Sequence, residues 1–555
     1  MAFIDGVIIG GFLILLFFFG TIFFKWIKNP DDFYVAGRML PPFILAATLT
    51  ASNVNLYSFI GQAGKAYEQG ISIIWHTWTG NMALVLAGLF IIPIFRRLKI
   101  RTIPEFLEKR YGLGMRVLIA VLWIFRLSFW LGIVLYVAST AAVAITGTGE
   151  GSYIIWALVF SVLTIAYTTA GGMWSVAFTD VLQFTLMMIG ALIFFPLIMA
   201  KAGGFSVILQ ELPSTYLNLV PQTGQFNWTF IIAIFFLGIQ WACTDQGMLQ
   251  RAFGAKDVKS VAKGLVLAGI ITTPFALLWY MPGLAAKVID PKIAQVDQVI
   301  PTMLTQIIPS GILGLILCGL LAAQMSTIDS NLNASATLFT NDIYQRVFNK
   351  KASTKQILAV VRITTILIGV FMLLFSFIAK KLGAVNAYLL LIGIMDMPLF
   401  VVAVIYGIFW KKVGWQGAFA GYISGAITGA FCVFVIFADN VNATTYATFL
   451  SAAAALLFTP IFSIIFKDIA REKQVETIWE AKKTSKEEIE TGTVFHIIPK
   501  SSLGKLMLGI CMIGLLVFLG SAFLGGLGFC ATAGWLSVSS MGLFFAGGFY
   551  RLFFD

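Results

Sequence analysis

The chain has 555 residues, of which 59% are hydrophobic and 11% charged, with a mean hydropathy of +0.92. An average soluble domain carries about 25% charged residues, so water is not the main solvent here. Apolar runs of about 20 residues, each long enough to cross hydrocarbon, recur from Gly6 to Phe554, which excludes a string of soluble domains.

In chain order the predicted spans are 5–24, 41–63, 71–95, 117–145, 152–169, 176–200, 227–249, 264–286, 311–340, 357–379, 386–410, 415–437, 445–466 and 504–526. A last segment, 531–550, follows the glycine-rich stretch Gly525–Gly528 and is expected to cross as well, which sets the side on which Asp555 lies and makes the count fourteen or fifteen. The first run lacks a basic leader and a small-residue cleavage site, so it reads as a retained span. The net charge of +12 sorts by loop: 29 of the 37 Lys and Arg fall in alternate loops, including Arg251, and six in the others (Lys65, Lys201, Lys287, Lys292, Lys380, Lys381). The positive-inside rule then predicts a multi-pass plasma (inner) membrane protein with its N-terminus outside, and nucleic acid is not needed to explain the charge. The five cysteines lie in apolar stretches without CxxC spacing, so neither a disulfide framework nor a zinc site is expected.

Two spans are interrupted by polar residues near mid-membrane. The second holds Thr48, Thr50, Ser52, Asn53, Asn55, Tyr57 and Ser58 before Gly61; the seventh holds Gly238, Gln240, Trp241, Thr244, Asp245, Gln246 and Gly247. Broken helices an odd number of spans apart point to inverted repeats around a midplane site. The expected division is 1–40 as an extra N-terminal helix and loop, 41–200 as the first repeat and 227–410 as the second. Residues 411–466 form additional helices, 467–503 a solvated cytoplasmic connector, and 504–555 the C-terminal helices. The loop from Lys201 to Asn227 is expected over the external mouth.

Ionisable groups within spans cost about 2.5–3.5 kcal/mol on insertion scales and need a reason; the candidates are Asp180, Asp245, Asp329, Asp396, Arg126 and His76. In the ninth span Ala323, Ser326, Thr327 and Ser330 recur at i, i+3, i+4 and i+7 and share one helical face. Such hydroxyls can bond back to carbonyls one turn earlier, or supply oxygens to a small hard cation. Asp329, beside them, must be paired, protonated or cation-bound.

The chain resembles the sodium/solute symporter family, which includes sodium/sugar, sodium/proline and sodium/sialic acid carriers, over most of residues 31–421. The pieces that carry the resemblance are DFYVAGRMLP from Asp32, SFIGQAGKAYEQG from Ser58, TIPEFLEKRYG from Thr102, GGMWSVAFTDVLQ from Gly171, LLAAQMSTIDSNLNASATLFTNDIY from Leu320 and FWKKVGWQGAFAG from Phe409. It implies an all-α polytopic membrane protein with a LeuT-type five-plus-five inverted repeat, one extra N-terminal helix and several extra C-terminal ones. It implies a main Na⁺ site at the carbonyls of Ala51, Val54 and Ala323 and the hydroxyls of Ser326 and Thr327. A second Na⁺ site, present in some members, matches Asp180, Ser326, Asp329 and Ser330, with Asp329 standing where those members have serine; the plainer use of Asp180 is a residue facing the positive end of a helix dipole.

The pocket departs from the sugar carriers, because Thr77 and Gly80 replace a glutamate and a serine and about Thr272 replaces a lysine. The expected lining is Asn55, Tyr57, Ser58, His76, Thr77, Gln240 and Trp241, with His76 alternatively a hydrogen-bonded core residue. Arg126 lies about one turn before the arginine that holds the substrate carboxylate in sialic acid carriers. It reads either as a carboxylate ligand or as an internal ion pair or inward gate with Asp180 or Asp245. Asp245 could also cap the break, and Asp396, just before Pro398, is expected to stabilise a kink. The functional expectation is Na⁺-coupled symport of a small organic solute, a carboxylate-bearing solute or a sugar, in a lipid bilayer, with no obligatory protein partner. The alternatives are a carrier-like membrane solute sensor without net transport and, less supported because His76 and His496 are the only histidines, a membrane enzyme.

Overall fold

The computed structural model describes residues 3–382, 392–438, 440, 442–466 and 472–554. The chain is all-α. Among the described residues, eleven helices are long and apolar enough to cross a membrane, or thirteen when two bent pairs each count as one span.

Helix α1 (Phe3–Ile22) lies against α7 (Tyr153–Lys201) and α11 (Ile312–Thr337). The first bent pair joins α2 (Pro42–Asn53) to α3 (Ala63–Gln69) through a π-helical turn at Tyr57–Gln62, with a 52° bend. The second joins α8 (Trp228–Thr244) to α9 (Gln246–Phe253) at 47°. These are the two spans that polar density marks as broken. Between them run α4 (Trp75–Leu86), part of a longer run to Arg97, then α5 (Ile103–Tyr111) and α6 (Leu113–Thr146). After α9 come α10 (Val258–Phe275), continued to Ile289, then α11, α12 (Thr354–Leu382) and α13 (Ile394–Phe409). Beyond these lie α14 (Trp415–Phe431), α15 (Ala443–Ile465), the short α16 (Glu472–Glu480) and α17 (Lys486–Glu490), and a final packed pair, α18 (Ser502–Gly526) and α19 (Cys530–Arg551).

The two segments expected at 152–169 and 176–200 are one helical run of 49 residues. At 1.5 Å per residue this is about 73 Å, more than twice the hydrocarbon thickness of about 30 Å, so the separation comes from a kink and not a loop. The kink is at Gly172 (φ 50°, ψ −142°), where a Cβ would stand 2.7 Å from the Phe33 ring. Counting this run twice and α13 once would raise thirteen to fifteen. The expected span 386–410 lies in part outside the described residues, as do the start of the connector and Asp555. The helix expected at 264–286 starts earlier, at Val258, where Asp257 accepts the Ser260 N–H at 2.7 Å and so satisfies a free donor of the first turn. The ninth span runs on as a π-helical stretch to Phe348.

Helices α2, α7, α9 and α11 form the polar centre, whereas α12 exposes Ile363, Leu367, Phe371 and Leu374 along one stripe, as a lipid-facing surface requires. The loop after Lys201 packs over the end of α3 and the start of α4: the Tyr216 hydroxyl donates to the Glu68 carbonyl at 2.8 Å, and Trp75 Nε1 to Leu219 O at 2.8 Å. Gly70 (φ 94°) is required there, because a Cβ would lie 2.6 Å from Tyr216 Cα. One assignment is corrected: Arg251, taken from its charge as a loop residue, lies inside α9 and is 1% exposed.

Candidate functional site

The α2 helix stops because Val54 is extended (φ −109°, ψ 116°), releasing the last carbonyls of the helix from i→i+4 pairing. Gln324 of α11 takes up the stranded Leu56 N–H through Oε1 at 3.1 Å and donates Nε2 to the Val134 carbonyl of α6. It thus pins the break between two helices. At α8/α9 the break falls at Asp245 (φ −72°, ψ 120°), whose Oδ1 accepts the Met248 N–H at 3.0 Å; the expected cap is present.

The hydroxyl ridge of α11 meets the α2 break. Ser326 Oγ lies 2.9 Å from Ala51 O and 2.9 Å from Ala323 O; Thr327 Oγ1 lies 3.4 Å from Ala323 O and 3.5 Å from Ser52 O. All are buried. Oxygens about 2.4 Å from a hard cation, the bond length of Ca²⁺, which is nearly as large as Na⁺, would stand about 3.4 Å apart along octahedral edges, so this donor set fits Na⁺ once the two hydroxyls rotate. Val54 is buried at the break, but the neighbouring carbonyl that Thr327 reaches belongs to Ser52. The hydroxyls bond back to the previous turn, Ser326 to Ala323 O at 2.9 Å and Ser330 to Ser326 O at 2.7 Å, and Ser326 also reaches across to Ala51 O.

The residues of the expected second Na⁺ site are linked indirectly. Asp180 accepts the Thr48 hydroxyl and lies 3.5 Å from Arg251 Nε. Arg251 also donates to Thr48 Oγ1 (3.0 Å), Ser52 Oγ (2.5 Å) and Gly247 O (2.6 Å). Asp329 accepts the Tyr167 hydroxyl at 2.8 Å and the Ser330 hydroxyl at 3.0 Å, and Ser330 Oγ stands 3.4 Å from Ser52 Oγ. A cation held by Asp180 would share it with Arg251. The helix-dipole reading of Asp180 does not hold, since Asp180 lies two turns beyond the kink in α7 and faces a guanidinium.

All eight residues expected to line the solute pocket, Asn55, Tyr57, Ser58, His76, Thr77, Arg126, Gln240 and Trp241, border one cavity of about 140 Å³. A cavity of about 150 Å³ holds a benzene ring, so a solute of one six-membered ring is in scale. His76 Nδ1 pairs with Gln62 Nε2 at 2.8 Å, Tyr280 OH donates to Gln62 Oε1 at 2.6 Å, and Tyr280 OH meets Thr77 Oγ1 at 2.9 Å. His76 is thus both a hydrogen-bonded residue and a lining residue. Thr272 instead bonds the Thr50 hydroxyl (3.3 Å) and Ala268 O (2.7 Å) and does not border the cavity.

Arg126 resolves as an ion pair, with two partners. Its Nη1 reaches Asp245 Oδ2 at 3.0 Å, as one reading expected; Asp180 is not a partner. Its Nε and Nη2 grip Asp396 Oδ1 and Oδ2 at 2.6 and 2.5 Å. The kink role expected of Asp396 is therefore replaced by charge pairing, because a buried guanidinium leaves a facing carboxylate no cheaper partner. Arg251, Gln324 and Gln62 were absent from the expected site. Only Arg251 had a legible signal, four residues after Gly247 on a helix continuous with a broken span.

The profile of the Sodium:solute symporter family matches residues 33–425. The sodium/glucose cotransporter of Vibrio parahaemolyticus is 26% identical over 80% of this chain and 86% of its own length, and the sodium/myo-inositol cotransporter 2 of Homo sapiens is 27% identical over 75% and 68%. Among solved structures, a substrate-bound, outward-open Na⁺-coupled sialic acid symporter superposes with a TM-score of 0.74 at 24% identity, covering 83% of this chain and 98% of its own. A nucleobase-cation-symport-1 family transporter in a closed conformation superposes at 0.51 with 17% identity, covering 81% and 99%.

Proposed function

Because the chain belongs to the Sodium:solute symporter family, with the LeuT-type fold and Na⁺ as its coupling ion, we propose that it carries a neutral, hydroxyl-rich solute of about one ring, a sugar or cyclic polyol, together with Na⁺ held between α2 and α11. The protein is a multi-pass membrane transporter and not an enzyme; the solute class, the ion ligands and the orientation are our reading.

The observation that carries this reading is the contact of Ser326 Oγ with Ala51 O and Ala323 O at 2.9 Å each. Na⁺ at that junction ties the unwound strand at Ala51–Asn55 to the α11 ridge, and the same strand supplies Asn55, Tyr57 and Ser58 to the solute cavity. Ion and solute then stabilise one arrangement of one segment, which is what coupling demands, since a ligand shifts an equilibrium only by its differential affinity. Val54, Ala323 and Thr327 complete the ligand set. Asp180 already has a cationic partner in Arg251, and Asp329 rests on Tyr167 and Ser330. The neutral class is supported by the engagement of Arg126 with two carboxylates and by relatives that carry glucose and myo-inositol. The loop charges support a plasma membrane location with the N-terminus outside, and the two bent helix pairs support the repeats at 41–200 and 227–410. No observation favours the sensor reading.

A thermal-shift screen of sugars, cyclic polyols and carboxylates tests it, each run in NaCl and in KCl. The expected result is stabilisation by a neutral hydroxylated solute in Na⁺ only. Stabilisation of equal size in K⁺, or by carboxylates alone, contradicts the reading.

A further inference from the structure

Resting on the reading of this cavity as the solute site, the geometry points to Asp396 as the residue that sets solute charge: its carboxylate fills the fork of Arg126 as the carboxylate of an acidic solute would, so the pocket refuses anions, and removing Asp396 uncovers an anion site.

The paired contacts of Nε with Oδ1 (2.6 Å) and Nη2 with Oδ2 (2.5 Å) are the bidentate arrangement in which guanidinium and carboxylate bind most strongly. Asp396 is 1% and Arg126 6% exposed, yet both border the cavity, so this is an internal pair at the wall of a site. The Arg126 guanidinium also lies over the Trp123 ring, 5.2 Å from its centroid, which holds the plane of the fork. Asp245 contributes the second negative charge but is tied twice over, to Arg126 Nη1 and to the Met248 N–H, and the N-terminal end of α9 offsets its charge.

An entering carboxylate would meet two carboxylates and find the bidentate edge of Arg126 taken, while Arg251, the other guanidinium on the cavity wall, is engaged by Thr48, Ser52, the Gly247 carbonyl and Asp180. A hydroxylated solute meets the opposite situation. Each carboxylate oxygen has about two acceptor positions, and the Asp396 oxygens each accept one bond from Arg126, leaving lone pairs for hydroxyl donors. Arg126 is a positioning residue for Asp396 in this arrangement. Asp396 discriminates by repulsion as much as by attraction, the usual way specificity is built.

The test uses the full-length protein in lipid nanodiscs, with matched probes that differ only at one carbon: D-glucose against D-glucuronate and D-galactose against D-galacturonate, with acetate as the smallest carboxylate. The wild type is expected to show no binding of either uronate by calorimetry and no stabilisation by acetate. Asp396→Ala and Asp396→Asn are expected to bind a uronate at least tenfold more tightly than the wild type, and acetate should raise the melting temperature of Asp396→Ala. Adding Arg126→Gln to either variant should abolish both gains, while Asp245→Asn alone, with Asp396 in place, should give neither. Acetate protection of Asp396→Ala is read without any solute being known, so loss of the sugar reading with acetate protection intact overturns the proposed function and leaves this inference standing. Uronate binding by the wild type, or a gain that survives Arg126→Gln, overturns the inference; should Asp396→Ala and Asp396→Asn not fold, uronate and acetate on the wild type still decide it.

Discussion

At the scale of single residues the molecule is governed by the pairing of charges that have left water. Arg251 satisfies Thr48, Ser52 and the Gly247 carbonyl at once and stands 3.5 Å from Asp180, so it sews α9 to α2 and α7. Removing one partner of such a pair strands the other, at about 3–5 kcal/mol. Arg251→Gln should therefore lower the melting temperature by many degrees, and adding Asp180→Asn should recover much of the loss; equal, additive losses in the double-mutant cycle would show that the two do not interact. The hydroxyl ridge was readable because Ser326, Thr327 and Ser330 recur with helical period, and the α2 break because seven polar residues cannot face lipid. The partners of Arg126 and Arg251 were not, because pairing depends on which helices adjoin, and Asp396 is 270 residues from Arg126 along the chain.

At the scale of elements, breaks and kinks decide what moves and what is anchored. Both bent helices and the α11 ridge follow from local patterning. The continuity of α7 through the kink at Gly172 does not, because glycine at a kink and glycine in a loop look alike in sequence. Gly172→Val should destabilise the protein sharply, since φ is positive and the Phe33 ring fills the space; an unchanged melting temperature would contradict that packing. The connector is anchored more firmly than its solvated composition suggests. Arg97, at the end of the α4 run, grips Glu488 through Nε (2.7 Å) and Nη2 (3.1 Å) and donates to the carbonyls of Ala481, Lys482 and Phe495. Burial alone would raise the Glu488 carboxyl, but hydrogen bonds and charge from Arg97, with the Ser485 and Phe495 N–H groups, hold it below the ordinary glutamate range. The sign follows: the clasp contributes in full above the ordinary value of about 4.3 and is lost as pH falls through the depressed value. Hydrogen exchange across α16 and α17 should therefore stay slow at pH 7 and 5 and quicken only in stronger acid, whereas Glu488→Gln should quicken it at pH 7. Exchange in Glu488→Gln that matches the wild type at pH 7 would mean that the clasp does not hold the connector.

At the scale of the whole molecule, the two broken helices and α11 meet around one cavity, where on our proposal an ion and a solute share one unwound strand. One Na⁺ crossing 100 mV gains about 2.3 kcal/mol, enough for roughly fiftyfold accumulation of a neutral solute before any concentration gradient is added, provided that ion and solute are obligatorily held together. The most direct measurement of that claim is uptake into proteoliposomes of the solute found by thermal shift, under an inward Na⁺ gradient with the potential clamped by valinomycin. The account predicts accumulation above equilibrium in the wild type with Na⁺ and none with K⁺. It also predicts that Ser326→Ala and Thr327→Ala lose accumulation while keeping the wild-type melting temperature in the absence of Na⁺. Accumulation driven equally by K⁺, or unchanged Na⁺ dependence in both folded variants, would contradict it.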